Sequence, residues 1–134
     1  MGEGKIIEIS FSSSIKIMNI VLETLEEMLA GLGMDVEKHW KVFLALREVV
    51  SNGIVHGNRK DPEKEVKIKI FYGKKIRFEV KDQGEAFDFE GILKRGEQDI
   101  MRERGRGLCI VKQVMDVVRY EFKNGNLIIM EKGL

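Results

Sequence analysis

The stretch that decides the fold class lies in the first half of the chain and reads Ala45-Leu46-Arg47-Glu48-Val49-Val50-Ser51-Asn52-Gly53-Ile54-Val55-His56-Gly57-Asn58. Its apolar spacing predicts a helix that begins after an N-cap at Asp35 and runs to Gly57. Because one helical turn takes about 3.6 residues, Glu48, Asn52 and His56 share one face, with apolar neighbours on both sides. Buried polar groups require partners. The face is therefore either a functional site or the polar margin of an ordinary amphipathic helix.

The segments on either side of this helix alternate in hydropathy as strands do. Strands are predicted around residues 5–11, 66–70, 76–80, 118–122 and 127–130, and a first helix is predicted from about residue 18 to residue 32, after a serine cap at 12–14. A charge-dense mobile loop is expected over residues 89–104, followed by a short helix over 108–115. Two hairpins and segregated helices predict an α+β two-layer sandwich with a mostly antiparallel five-stranded sheet and helices on one face.

Length, charge and cysteine usage narrow the class of protein. The 134 residues contain one proline and no repeat, which predicts a single domain over residues 1–134. The chain has 23 Lys+Arg and 22 Asp+Glu, so no basic excess indicates a nucleic acid or a lipid surface as partner. No apolar run is long enough to span a membrane. The single cysteine, Cys109, rules out an internal disulfide and favours a cytoplasmic location.

A second polar feature follows the third predicted strand, at Asp82-Gln83-Gly84. Asp82 continues the parity of the buried positions 76, 78 and 80, so its carboxylate is expected on the buried side of the sheet. A buried acceptor there suits an exocyclic amine such as that of adenine, and Gly84 lets the backbone approach a flat ring. The alternative is an ordinary strand-ending turn.

A third feature, Arg104-Gly105-Arg106-Gly107-Leu108, is placed where the predicted loop enters a helix. Free N–H groups at a helix N-terminus bind phosphate, glycines allow close approach, and the arginines add positive charge. The alternative is the ordinary need of a loop for glycine. The segment matches neither the dinucleotide fingerprint nor the Walker A loop.

In this order, the three features resemble the ATP-binding boxes of the GHKL superfamily. The resemblance rests on residues 45–58, on 82–88 and on 104–116, it covers essentially the whole chain, and it is closest in the stand-alone anti-sigma factor/serine protein kinase branch. It implies the Bergerat fold of histidine kinase-like ATPase domains. It also implies an anti-sigma regulatory factor that binds ATP and phosphorylates a serine or threonine of an antagonist protein, so controlling transcription by partner switching.

The resemblance also assigns roles to residues. Asn52 ligates Mg²⁺, Glu48 is the general base and Asp82 reads adenine beside Gly84. Residues 89–104 form the ATP lid, and the phosphates are cradled by Gly105 and Gly107 in a box that also contains Arg104, Arg106 and Leu108. The implied partners are a sigma factor, the antagonist protein (an anti-anti-sigma factor) and a second copy of the chain.

Two residues depart from the family pattern: Ala86 stands for a glycine, and Leu127 stands where a threonine near adenine is common. His56 has no assigned role. A sensor histidine kinase fragment is disfavoured, because neither His39 nor His56 lies in a phosphoacceptor setting. A non-catalytic ATP-dependent protein-binding module remains the alternative, although the presence of Glu48 favours an enzyme.

Overall fold

The computed structural model describes residues 4–98 and 103–134, and the side chains of all of these except 96–98 and 103–104. The described residues form, in chain order, β1 (Gly4–Ser12), α1 (Ile15–Ala30), α2 (Val36–Asn52), a π-helical turn (Gly53–Gly57), β2 (Glu65–Tyr72), β3 (Lys75–Lys81), α3 (Phe89–Gln98), α4 (Glu103–Val114), β4 (Val117–Phe122) and β5 (Asn126–Gly133).

The five strands form one antiparallel sheet in the order β1-β2-β3-β5-β4. Its register places Ile68 opposite Val80 and Phe78 opposite Met130, so apolar side chains gather on one face. These residues are buried together with Leu25 of α1 and other apolar residues of the helices. The α+β two-layer architecture predicted from the sequence is therefore confirmed.

The first two helices begin where their capping residues predict. Ser14 Oγ accepts a hydrogen bond from Ile17 N at 3.3 Å, and Asp35 Oδ1 accepts one from Lys38 N at 2.8 Å. Each bond satisfies a backbone donor that the first helical turn leaves without a partner. Trp40, on the solvent side of α2, is 61% exposed.

The end of the second helix is wider than an α-helix. The predicted helix does continue to Gly57, but its last residues form a π turn, a feature found often at functional sites. Lys60 N then donates to Ile54 O at 2.8 Å, and both Arg59 and Lys60 have left-handed backbones, with φ of 54° and 59°. Two such non-glycine residues in a row are strained by about 1–3 kcal/mol each, so the surrounding structure must hold them.

Asn58, which is fully buried, holds this strained turn in place. Its Nδ2 donates to Ser13 Oγ at 2.7 Å and to Glu65 O at 3.0 Å, and its Oδ1 accepts from Gln83 N at 2.7 Å. One side chain thus ties the end of the π turn to the residue that follows β1, to β2 and to the segment after β3.

The prediction of a loop over residues 89–104 is wrong for its first part, because Phe89–Gln98 forms the helix α3. Phe89 and Leu93, one turn apart, are buried, and Asp88 Oδ1 accepts from Gly91 N at 3.0 Å in the first turn. The apolar positions of this helix are few among many charges, so its hydropathy pattern shows little helical periodicity. Residues 99–102 of the expected loop lie outside the described residues.

Candidate functional site

Asp82 lies at the centre of the site, directly after β3. It is 6% exposed, which confirms the buried position predicted from strand parity. Its Oδ1 accepts from Gly84 N at 2.8 Å, from Asn126 N at 3.3 Å and from Asn126 Nδ2 at 3.0 Å. No described residue donates to its Oδ2. One carboxylate oxygen is therefore fixed by the protein, and the other keeps its hydrogen-bonding capacity.

Two glycines bring the π turn against this carboxylate. A Cβ on Gly57 would lie 2.1 Å from Asp82 Oδ2, whereas a Cβ on Gly53 would lie 3.6 Å from Asp82 Cβ. A glycine is also required at position 84, because a Cβ there would lie 2.2 Å from Gly57 O. In this structure Gly84 therefore packs on the π turn, and Gly57 leaves the notch in which Asp82 Oδ2 sits.

Glu48 and Asn52 come together with Gly107 of α4, as the shared helix face predicts. A Cβ on Gly107 would lie 2.6 Å from Glu48 Oε1 and 3.5 Å from Asn52 Nδ2. Asn52 Nδ2 is buried, and no described residue supplies a hydrogen-bond partner for it. An amide whose polar end is buried without a partner in a cleft fits a ligand oxygen or a metal-bound phosphate.

The glycine pair of α4 differs from the prediction in one respect. The helix begins at Glu103, so Gly105 and Gly107 lie inside its first turns and not in a loop ahead of it. Both glycines are buried, and the absence of a side chain at Gly107 lets α4 pack closely on α2. Arg106 is exposed and Leu108 is buried. The side chain of Arg104 lies outside the described residues.

A small cavity of about 20 Å³ lies among these groups. It is lined by Val49, Asn52, Gly53, Val80, Asp82, Phe87, Leu108, Asn126 and Ile128. Such a volume holds about one water molecule. The chemistry of the lining suits a purine nucleotide, with an acceptor, an amide and apolar walls, but a nucleotide requires α4 and α2 to move apart.

His56 does not join the site of Glu48 and Asn52. It lies in the π turn and lines a separate cavity of about 230 Å³ with Arg59, Lys64, Glu85 and other residues. A π turn takes more residues than an α turn, so the face that Glu48 and Asn52 share does not extend to His56. The prediction that Glu48, Asn52 and His56 share one face therefore holds for Glu48 and Asn52 but not for His56.

Sequence reasoning missed Asn126 and its neighbour Tyr120. Leu127, which stands where the family often has a threonine, lines a cavity with Lys67, Lys69 and other lysines on the opposite face of the sheet. Asn126 is the residue beside the Asp82 carboxylate. The sequence did contain a signal for Asn126. Alternate residues of a strand lie on the same face, and Asn126 alternates with the buried residues Ile128 and Met130.

Charges with perturbed pKa values lie away from this cleft. A hydrogen bond and the charge of Lys5 lower the pKa of Glu8, and a hydrogen bond from Gly133 N lowers the pKa of Asp116. Across residues 4–98 and 103–134, no three His, Cys, Asp or Glu side chains are grouped so as to hold a metal ion. None of the helices in the described part of the chain has the length and hydropathy of a membrane span.

Comparison with known proteins gives consistent matches. Residues 11–132 match the histidine kinase-like ATPase domain. The serine-protein kinase RsbW of Staphylococcus epidermidis is 27% identical over 135 residues, covering 94% of this chain and 85% of the relative. The RsbW of Listeria monocytogenes is 27% identical over 111 residues, covering 77% of this chain and 69% of the relative.

Two solved structures share the fold. The crystal structure of RsbU and RsbW domains from Mycobacterium tuberculosis superposes with a TM-score of 0.70 at 19% identity, and the match covers 96% of this chain and 32% of that one. A histidine kinase domain from Erythrobacter litoralis superposes with a TM-score of 0.59 at 16% identity, covering 87% of this chain and 61% of that one. At these identities the likeness concerns the fold alone.

Proposed function

The chain belongs to the histidine kinase-like ATPase domain family, and from that premise we propose that it is a regulatory protein kinase. It binds Mg²⁺ and ATP in the cleft between α2, α4 and the end of β3. It transfers the γ-phosphoryl group to a serine or threonine of an antagonist protein, and it holds a sigma factor when the antagonist is absent. The curated relatives are named serine-protein kinases, which supports this assignment.

One observation carries the proposal: residues from three separate segments converge on one cleft. Glu48 and Asn52 lie on α2, Asp82 follows β3 and Gly107 lies in α4, more than twenty residues farther along the chain. A strand-ending turn at Asp82, or a loop's need for glycine near residue 107, does not explain why these groups meet. A nucleotide site with an acceptor for the base and an amide for the metal does.

Asp82 and Asn52 would bind the two ends of the nucleotide. Asp82 Oδ2 accepts a hydrogen bond from the exocyclic amine of adenine, because Oδ1 is already used by protein donors. Asn52 Nδ2, which has no partner among the described residues, would donate to a phosphate oxygen, and Asn52 Oδ1 would hold Mg²⁺, as the resemblance implies. The metal ion neutralises phosphate charge, which phosphoryl transfer needs more than it needs covalent help.

In this proposal Glu48 acts as the general base. It lies one helical turn before Asn52, and its Oε1 faces Gly107 of α4. A carboxylate there accepts the proton of the attacking hydroxyl as the new oxygen–phosphorus bond forms and ADP leaves. A module that only binds a partner does not need a base at this position. Glu48 and the kinase names of the relatives therefore favour the enzyme over the non-catalytic module.

Because α4 packs tightly on α2, a segment that includes the start of α4 would have to move for ATP to enter the cleft, and this segment is the lid. The cavity of about 20 Å³ is too small for ATP, so α4, which contributes Leu108 to its lining, would have to move away from α2. We assign the lid to residues 89–104, that is α3, the residues after it and the start of α4. The arginines at 104 and 106 and the glycines at 105 and 107 then contact phosphates when the lid closes.

The remaining assignments are also proposals. Homodimer formation rests on family resemblance. The cytoplasmic location rests on the single cysteine, and the balance of charges indicates no direct contact with nucleic acid or membrane. The sigma factor and the antagonist enter through the resemblance to the anti-sigma branch.

Calorimetry with ATP, with and without Mg²⁺, tests the proposal. Asp82→Asn replaces an acceptor by an amide of equal size, and a hydrogen bond to a charged group contributes about 1.5–3 kcal/mol. The variant is therefore expected to bind ATP roughly 10- to 100-fold more weakly than the wild-type protein. Asp116→Asn, the same change at an exposed aspartate away from the cleft, is the control. Equal ATP affinities for the Asp82 variant and the wild-type protein would remove Asp82 from the nucleotide site.

A further inference from the structure

A chain of hydrogen bonds leads from the segment before α3 to the Asp82 carboxylate. Phe87 N donates to the Tyr120 hydroxyl at 3.3 Å, and that hydroxyl donates to Asn126 Oδ1 at 2.6 Å. Asn126 Nδ2 then donates to Asp82 Oδ1 at 3.0 Å and to Glu85 O at 2.9 Å. The chain joins β4, β5 and the segment after β3 through side chains that the function described above does not use.

The direction of every bond in this chain is determined by its neighbours. A carboxylate and a backbone carbonyl only accept, so the amide nitrogen of Asn126 must face Asp82 and Glu85. The amide oxygen then faces Tyr120, which must donate to it. The Tyr120 oxygen in turn accepts the Phe87 N–H. No member of the chain can reverse its donor and acceptor without leaving another polar group unsatisfied.

The hydroxyl of Tyr120 is also fixed in position by aromatic packing. Its ring is parallel to that of Phe89, with centroids 5.5 Å apart and an interplanar angle of 4°. The ring of Phe87 lies 4.8 Å from it on a tilted plane. A hydroxyl held by two neighbouring rings loses little further freedom when it makes its hydrogen bonds, which is the condition for a preorganised site.

We propose that Tyr120 and Asn126 are positioning residues for base recognition. They fix Oδ1 of Asp82, so that Oδ2, in the notch left by Gly57, is presented to the exocyclic amine of a purine base. This proposal rests on the proposed ATP site and adds the residues that determine its selectivity for an amino-purine. Neither residue needs to touch the nucleotide, because both act through the carboxylate.

The test compares two nucleotides that differ only in the amine. Purine riboside triphosphate lacks the exocyclic amine of ATP, so an effect that passes through Asp82 Oδ2 changes ATP binding alone. Tyr120→Phe removes only the hydroxyl and keeps the ring. It is expected to weaken ATP binding about 3- to 10-fold, the range of one hydrogen bond, and to leave binding of purine riboside triphosphate within about twofold of that of the wild-type protein.

Matched variants separate positioning from general stability. Tyr72→Phe removes the other tyrosine hydroxyl, which donates to Leu32 O at 3.0 Å, and is expected to leave both affinities unchanged. Asn126→Asp replaces the donor to Asp82 by an acceptor and is expected to reduce ATP binding more than Tyr120→Phe does. In an Asp82→Asn background, Tyr120→Phe is expected to have no further effect, because the two changes act on one contact.

Two results would overturn the proposal. One is that Tyr120→Phe loses affinity for ATP and for purine riboside triphosphate equally, which indicates a structural role for the hydroxyl. The other is unchanged ATP binding in both the Tyr120 and the Asn126 variants. Failure of the proposed function is a different result, namely that the wild-type protein binds neither nucleotide.

Discussion

Gly57 and Gly53 provide a pair of identical substitutions with opposite expected effects. A Cβ on Gly57 would lie 2.1 Å from Asp82 Oδ2, 2.5 Å from Asp82 Cγ and 3.0 Å from Asp82 Oδ1. Ordinary contacts between heavy atoms are about 3.5–4.0 Å, so the Asp82 side chain must move by more than about 1 Å. It cannot do so and keep the bonds from Gly84 N and Asn126 Nδ2.

The expected cost of Gly57→Ala combines overpacking with the loss of those hydrogen bonds. Overpacking a buried site costs about 1–3 kcal/mol, and for a domain of this size each kcal/mol lowers the melting temperature by roughly 3–5 °C. Overpacking alone is therefore expected to lower the melting temperature by about 3–15 °C, and the loss of the hydrogen bonds lowers it further. ATP binding is expected to fall more than tenfold, because the displaced carboxylate no longer presents Oδ2.

Gly53→Ala is the matched control for stability. Its Cβ would lie 3.6 Å from Asp82 Cβ and 3.7 Å from Val66 Cγ2, which are ordinary contacts, and its backbone is helical with φ of −62° and ψ of −40°. Alanine is favoured over glycine in a helix by up to about 1 kcal/mol, so the melting temperature is expected to stay equal or to rise by a few degrees. Thermal unfolding followed by circular dichroism measures both variants. A Gly57→Ala protein that melts at or above the wild-type temperature would refute the reasoning.

Two further predictions concern stability. Asn58→Ala removes the three hydrogen bonds of this buried side chain and releases the strained turn. It is therefore expected to lower the free energy of unfolding, measured by urea titration, by about 2–4 kcal/mol. Asn19→Ala, on the exposed face of α1, is the control and is expected to change this free energy by less than about 0.5 kcal/mol. The hydrogen bond from Gly133 N lowers the pKa of Asp116, so its contribution to stability is complete above the pKa of the unfolded chain and is lost as the pH falls through the lower folded pKa. Melting curves at stepwise lower pH are therefore expected to show a smaller loss of stability for Asp116→Asn than for the wild-type protein, and parallel pH profiles would contradict this assignment.

The sequence predicted those parts of the molecule that depend on local periodicity and on capping. Ser14 and Asp35 cap the helices that their positions indicate. Strand parity placed Asp82 on the buried face, and helical spacing brought Glu48 and Asn52 together. These predictions succeeded because each needs only the geometry of one helix or strand.

The features that the sequence did not reveal depend on contacts between distant segments. The π turn is held by Asn58, whose partners lie directly after β1, in β2 and after β3. The amide beside Asp82 belongs to Asn126, and the pairing register of β3 with β5 decides this. Helix α3 has few apolar positions and is fixed by burial of Phe89 and Leu93. Strand parity indicates that Asn126 is buried, but local patterns do not show which residues these side chains contact.

The central claim, that Glu48 is the base of a protein kinase, is tested most directly by phosphoryl transfer from labelled ATP. Wild-type protein and Glu48→Gln are compared in single-turnover assays with the candidate antagonist proteins of the same genome, alongside ATP affinity and melting temperature. The account predicts that the Gln variant keeps its melting temperature and binds ATP within about threefold of wild type, while transfer falls by roughly 10²- to 10⁴-fold. Full transfer by a well-folded Gln variant would contradict it.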